Sequence, residues 1–482
     1  MTVLKEKMTT GLIWSTLDRF LTFLIQFILG IILARILMPE DYGLIGMIAI
    51  FIAISQSVVD SGFFTALVQK RDVNQTDYST IFFFNIVVGV VLYLLLFLSA
   101  DFIADFYEIA VLSDLTKVVG INILIVSTTI VHKAFITTKI DFKTLAVINI
   151  VSALIGGLVG LYFALNNHGV WSLVYQSLTK STVMAILYWV LNNWKPTFLF
   201  NKQSFRALFG FGSKLMLSEL LKIFFKNIYL IIIGKVYQAE ELGYFTRATL
   251  FKQIPSTLVN TILQSVTFPV LVKVIDEDTK VKKLLERSVR LTGFLLFPVT
   301  FVLVFFAKAI IVTLLTTKWL PSVILLQILA FEIIFHPLQY INLNFLNAKG
   351  RSDLFLKLEF IKNTLVIIAI ISTYQYGLVW MCIGYVVVSF VGFFINTYYT
   401  QKFINYSAFH QLKDLLPYIG VSLFSVFISY IICSALSNNL LQLIFGVLLA
   451  TGFYFSLSYF LKFKELIELQ GLIVNKIKSN KS

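Results

Sequence analysis

Apolar stretches of about 20 residues follow one another along the whole of this 482-residue chain, and few folds accommodate that pattern. Each stretch is long enough to cross a hydrocarbon core of roughly 30 Å as a helix. In lipid every backbone N–H and C=O must find a partner within the protein, which an α-helix provides along its own length. Hydrophobic residues make up 58% of the chain and charged residues 13%, so lipid has to be the solvent for most of it. The longest intervening segments, around 192–206, 270–286 and 401–413, are too short for a nucleotide-binding or glycosyltransferase domain. The two cysteines, Cys382 and Cys433, lie inside apolar segments and are read as small packing residues, with no disulfide framework or metal spacing.

Windows of about 19 residues predict fourteen spans, or twelve if one of them is interfacial. Their limits are 10–36, 42–67, 78–100, 115–136, 145–165, 170–191, 208–234, 242–268, 288–307, 321–346, 354–373, 378–400, 415–435 and 440–461. Loop charge tests the count, because basic residues favour the cytoplasmic side. With the N-terminus inside, the inner segments hold 23 basic residues and the outer ones only Lys235, Lys308 and Lys318, so both termini are expected to be cytoplasmic. Much of the net charge of +14 is therefore a topology signal, and no nucleic-acid partner is expected. The start, MTVLKEKMTTGLIWSTLDRF, lacks an A-x-A-like cleavage site, so the first apolar segment is expected to remain as a helix. The tail, KFKELIELQGLIVNKIKSNKS, reads as an amphipathic or disordered cytoplasmic end in touch with anionic lipid.

The chain also repeats itself at an offset of 200 residues. IILARILMPEDYGLIGMIAIF, from Ile31, matches IIIGKVYQAEELGYFTRATLF, from Ile231. Arg35 falls on Lys235, Glu40 on Glu240, Asp41 on Glu241, Gly43 on Gly243 and Phe51 on Phe251. Six spans separate the copies, so both begin on the same side of the membrane and the repeat is parallel. The expected fold is an all-α polytopic membrane protein: two pseudo-symmetric six-helix bundles, residues 1–200 and 201–405, two additional helices within 406–462, and a cytoplasmic tail at 463–482. In such folds a central cavity lies between the bundles and opens alternately to either side.

Thirteen basic residues fall within the predicted spans, against the acids Asp18, Asp60, Glu219, Glu332 and Glu359. A charge near the bilayer centre costs at least about 2.5 kcal/mol on insertion scales, so it faces a wet cavity or a partner. On the seventh span, Lys214, Ser218, Lys222 and Lys226 recur every four residues. At about 100° per residue they share, with Glu219, one sector of roughly 140°. Arg19, Arg35, Lys222, Lys226, Arg247 and Lys252 are the candidate substrate-binding bases, and Asp60, Glu332 and His336 the candidates for ion or proton coupling. Some of these bases also fit an internal ion pair, with Asp18 or Glu219 as partner. Glu332 and His336, one turn apart before Pro337, are read either as a proton-sensitive pair or as a kinked packing site with Asn342 and Asn344. His132, His168 and His410 form no ligand spacing. No GxxxxGK[ST], HExxH or GxSxG occurs, so neither ATP hydrolysis nor another enzymatic activity is expected, and no cofactor or metal. A cationic cavity suits phosphate or pyrophosphate.

LARILMPEDYGLIGM, followed by VVDSGFFTALVQKRDVNQTDYSTIFFFNI, resembles the start of Wzx-type polysaccharide transporters of the multidrug/oligosaccharidyl-lipid/polysaccharide superfamily. NIYLIIIGKVYQAEELGYFTRATLFKQIPS, KWLPSVILLQIL and INLNFLNAKGRSDLFLKLEFIK resemble the same family, and Tyr229 stands where many relatives carry Asp. The resemblance implies a MATE-like fold, an inner-membrane location and translocation of undecaprenyl-pyrophosphate-linked oligosaccharide for O-antigen, capsule or exopolysaccharide assembly. A polysaccharide polymerase or chain-length protein would be a partner, beside membrane lipid. The alternative within the same superfamily is a secondary antiporter exporting drugs or metabolites, for which an acidic cavity would be expected.

Overall fold

The computed structural model describes residues 2–468 except Ser61 and Arg71, and gives only the backbone of a few others, among them Lys5, Lys7 and Lys214. The tail bases Lys476, Lys478 and Lys481 lie outside the described residues. Among the described residues there are helices and no strand. Every one of the fourteen predicted windows falls on helix, and ten helical stretches are long and apolar enough to cross a membrane by length and composition. The other four windows lie on Trp171–Leu191, on the two halves of Lys202–Ile262 and on Ser352–Thr373. Those helices hold eight of the thirteen intramembrane bases, so their lower hydropathy and their charge are one property.

The chain divides into two compact units, Met1–Gly243 and Tyr244–Ser482. In the first unit, Phe142–Leu165 and Trp171–Leu191 cross closely. A Cβ at Gly156 would come within 2.7 Å of the Lys180 Cβ, and one at Gly160 within 2.7 Å of the Gln176 Cβ. Small residues four apart let two backbones approach where lipid supplies no hydrophobic drive for association. Gln75–Tyr107 begins with a reciprocal cap: Asn74 accepts from the Asp77 N–H at 2.8 Å and Asp77 from the Asn74 N–H at 3.0 Å. Lys70 closes on the same carboxylate at 2.6 Å, which explains how Asp77 can be fully buried.

The polar stretch after Trp171–Leu191 is strapped to this unit and does not hang free. The Trp194 Nε1 donates to the Gln75 Oε1 at 2.7 Å, the Gln75 Nε2 to the Lys195 carbonyl at 2.7 Å, and the Asn201 N–H to the Thr80 Oγ1 at 3.0 Å. Beneath it Phe82, Trp189 and Trp194 enclose His132, whose Nδ1 lies 3.1 Å from the Asn192 amide. That residue is a buried core histidine, held through its Nδ1 and by the surrounding rings.

The two copies of the repeat touch each other inside this unit. After Thr2–Ile36 the chain turns at Met38, whose N–H donates to the Asp41 carboxylate at 2.8 Å, and Pro39–Asp60 begins. In the second copy the long helical run is interrupted at Gln238, with φ 78° and ψ 171°. A Cβ on Gly43 would stand 1.6 Å from the Ala239 carbonyl oxygen, and one on Gly243 1.9 Å from the Pro39 carbonyl oxygen. Pro39 and Ala239 are equivalent in the repeat, as are the two glycines, so the contacts are exchanged about a local two-fold. Glycine is required at both because the opposing atom is backbone. Beside this crossing Lys235 pairs with Glu108 at 2.7 Å, and that hydrogen bond holds the Glu108 carboxyl below the usual carboxylate range.

In the second unit Asp278–Phe305 packs against Ala408–Ser434 and Asn439–Phe460. The Tyr454 hydroxyl donates to the Phe294 carbonyl at 2.8 Å. The beginning of the tail, read from the sequence as an amphipathic or disordered end, is packed into this unit. Glu465 is 3% exposed, accepts from the Tyr418 hydroxyl at 2.5 Å and pairs with Arg290 at 3.3 Å, while Glu468 pairs with Arg287 at 2.8 Å. Two acids meeting two bases on Asp278–Phe305 tie this segment to the bundle, and the expectation for 469–482 lies outside the described residues. Cys382 and Cys433 are both buried.

Candidate functional site

Of the bases singled out from the sequence, Arg19, Arg35, Lys222 and Lys226 belong to the first unit and Arg247 and Lys252 to the second. The Lys222 and Lys226 side chains are exposed, as are those of Arg19 and Arg35, while Arg247 is half-buried. Lys222 stands 3.3 Å from Glu219, a helical i,i+3 pair with both side chains more than half exposed. Such a contact contributes little and leaves the ammonium available to a ligand.

Asp60, at the end of Pro39–Asp60, receives the Phe64 N–H at 3.3 Å, and the charges of Lys133 and Glu219 both act on it. Lys133 lies 5.0 Å from the centre of the Phe64 ring. Asp60, Glu219 and Lys133 thus interact where the chain leaves the second span, linking Asp60 to the amphipathic seventh. Asp18 is bound differently from the pairing with a neighbouring base that its place suggests. It accepts from the Asn149 amide at 2.9 Å and from the Thr22 hydroxyl at 3.1 Å. The adjacent Arg19 is exposed.

Lys252 departs furthest from its expected role. It is 3% exposed and stands 3.3 Å from Glu332, itself buried, with the Tyr385 ring centre 4.0 Å from the ammonium. An ammonium and a carboxylate withdrawn together from solvent neutralise each other, so Lys252 is not one of the exposed bases. The expected Glu332–His336 pair is replaced by two cross-helix contacts. Glu332 takes Lys252, and His336 meets the Asn260 amide at 3.1 Å. One turn further Gln264 hydrogen-bonds the Tyr340 hydroxyl. The partners advance in the same direction on both helices, so the helices run parallel, as spans of even number must.

Asn342 belongs to a separate buried network, without Glu332 or His336. Its amide donates to Gln411 at 3.1 Å, while its carbonyl oxygen accepts from Gln411 at 2.9 Å and from Thr400 at 2.8 Å. A buried network with its amides satisfied this way locks helices together. Asn149, Lys133, Asn260 and Tyr385 were not singled out from the sequence. A signal existed for one of them: Lys252, Ser256, Asn260 and Gln264 recur every four residues, facing Glu332, His336 and Tyr340 with the same step.

Long apolar helices carrying polar contacts at membrane depth define a multi-pass membrane protein, and the fold is that of the multidrug/oligosaccharidyl-lipid/polysaccharide transporters. It is similar to the lipid II flippase MurJ in an inward closed conformation, with a TM-score of 0.73 at 17% identity over 93% of this chain and 99% of that one. The chain belongs to the family described as polysaccharide biosynthesis protein, matched over residues 32–324, which bears out the resemblance read from its motifs. It is 28% identical over 435 residues to the teichuronic acid biosynthesis protein TuaB of Bacillus subtilis, covering 88% of this chain and 90% of that protein. It is 22% identical over 450 residues to the lipopolysaccharide biosynthesis protein WzxC of Escherichia coli, covering 91% and 90%.

Proposed function

We propose that this protein is a non-enzymatic flippase that carries a polyprenyl-pyrophosphate-linked oligosaccharide, undecaprenyl in bacteria, from the cytoplasmic to the outer leaflet of the inner membrane. The observation that carries the proposal is the surplus of basic over acidic residues on membrane-spanning helices in a member of the polysaccharide biosynthesis family. Relatives named for teichuronic acid and lipopolysaccharide biosynthesis support the substrate class. Both termini lie in the cytoplasm, on the side rich in Lys and Arg.

In this reading Arg19, Arg35, Lys222, Lys226 and Arg247 hold the pyrophosphate by charge-assisted hydrogen bonds. Lys252 is reserved for Glu332, and the polyprenyl tail remains in lipid. Asp60 is the acid placed to take part in coupling, since its charge already interacts with Lys133 and Glu219. Deleting the gene is expected to abolish the surface glycan and to accumulate lipid-linked repeat units on the inner leaflet. Normal surface glycan in the deletion strain would end the proposal. Replacing Lys222, Lys226 and Arg247 together by Gln is expected to lower glycan export at least about tenfold at normal protein level, because each charged contact contributes on the order of 1.5–3 kcal/mol. Undiminished export by that variant would remove these bases from the site.

A further inference from the structure

The second unit contains a cavity of about 510 Å³ where the starts of Asp278–Phe305 and Ala408–Ser434 meet the chain leaving Asn439–Phe460. Its volume falls in the range of small-molecule sites. None of the bases assigned to the transported substrate lines it.

Its acids are largely engaged already. Glu465 is held by Tyr418 and Arg290, and Asp414 accepts from the Tyr406 hydroxyl at 2.7 Å. Burial, then the bond to Asp414, push the Tyr406 phenol up, so it stays protonated and remains the donor. The bases are in a different state. Lys282, Lys413, Lys462 and Lys464 line the same cavity, and among the described residues none forms an ion pair. Among the described residues Lys282 donates to the Asn405 carbonyl, at 3.3 Å. Against these four lysines stands Glu286 alone among the cavity acids not held by another side chain. Residues 469–482 contain no Asp or Glu, so their side chains bring no carboxylate to the lysines.

Immediately before Lys462 three large apolar side chains are open to the surroundings: Tyr459 at 66%, Phe460 at 78% and Leu461 at 57% exposure. An apolar step followed at once by two bases matches a lipid, with acyl chain against the step and headgroup in the cavity. We propose that this cavity binds the phosphate-bearing headgroup of an anionic membrane lipid, at a site distinct from the transported substrate. A phosphate ester bridges several ammonium groups at once and needs no carboxylate moved aside. The inference goes beyond the transport reading and does not depend on it.

Native mass spectrometry of the full chain in neutral detergent tests it, with phosphatidylglycerol, phosphatidylcholine and inorganic phosphate as probes. The protein is expected to retain phosphatidylglycerol and not phosphatidylcholine. The variant Lys282→Gln/Lys413→Gln/Lys462→Gln/Lys464→Gln should bind phosphatidylglycerol at least about tenfold more weakly, and the four-fold Arg variant should keep most of the affinity. If the four-fold Gln variant does not fold, Lys413→Gln/Lys464→Gln alters two exposed side chains and should still weaken binding several-fold. Unchanged retention by the Gln variants, or equal retention of phosphatidylcholine, would overturn the proposal. Inorganic phosphate that binds as tightly as the lipid and displaces it would overturn the lipid assignment and make free phosphate the ligand.

Discussion

Gly43→Ala is expected to cost on the order of 3 kcal/mol or more, because the new Cβ would stand 1.6 Å from the Ala239 carbonyl oxygen. No rotamer change relieves such a contact, since the atom opposite is main chain within the helical run Lys202–Ile262. The helix starting at Pro39 must withdraw, and the approach of the two repeat copies is lost. Gly243→Ala should match it, with its Cβ 1.9 Å from the Pro39 carbonyl oxygen. Gly452→Ala is the control: nothing lies within 4 Å of its Cβ, and alanine there gains roughly 0.5–1 kcal/mol of helix propensity. Thermal unfolding of the purified variants in detergent, with their yield in the membrane, measures all three. A Gly43→Ala protein as stable as the parent would mean that the two turns do not meet as described.

The second large effect is expected at Glu332. Glu332→Gln leaves the Lys252 ammonium, 3% exposed, without its carboxylate, a change that costs about 3–5 kcal/mol for buried pairs. Lys252→Met/Glu332→Leu removes both charges and should recover most of the loss, since a well-packed apolar pair often equals a buried ion pair. In the proposed flippase, glycan export separates the roles of the pair. A double variant that regains stability and export makes the pair structural, whereas regained stability without export assigns it to the transport cycle. A Glu332→Gln protein with parental stability would refute the burial argument.

The helical membrane fold was legible from hydropathy, most clearly in the ten long apolar stretches, because lipid requires a backbone satisfied within each of them. The repeat was legible for a related reason. Gly43 and Gly243 recur at the same offset as the acids beside them, and such a match survives only where both turns meet the same steric demand. Individual charges were less legible. Lys222 and Lys252 look alike in sequence, both bases in the middle of a helix. One lies exposed beside Glu219 while the other is sealed against Glu332 and Tyr385. Glu465 lies in a segment read as an amphipathic or disordered tail and is buried against Tyr418 and Arg290.

By itself, then, the sequence determined a helical membrane protein, its internal repeat and its family, because each follows from periodicity or from the local chemistry of one segment. Only the tertiary structure decided which charge each charge meets. Pairing partners lie 80 residues apart for Lys252 and 175 for Arg290, and the choice among them rests on packing of whole helices, which no local pattern encodes. That difference divides the bases into buried, neutralised ones, such as Lys252, and exposed ones, such as Lys222 and Lys226.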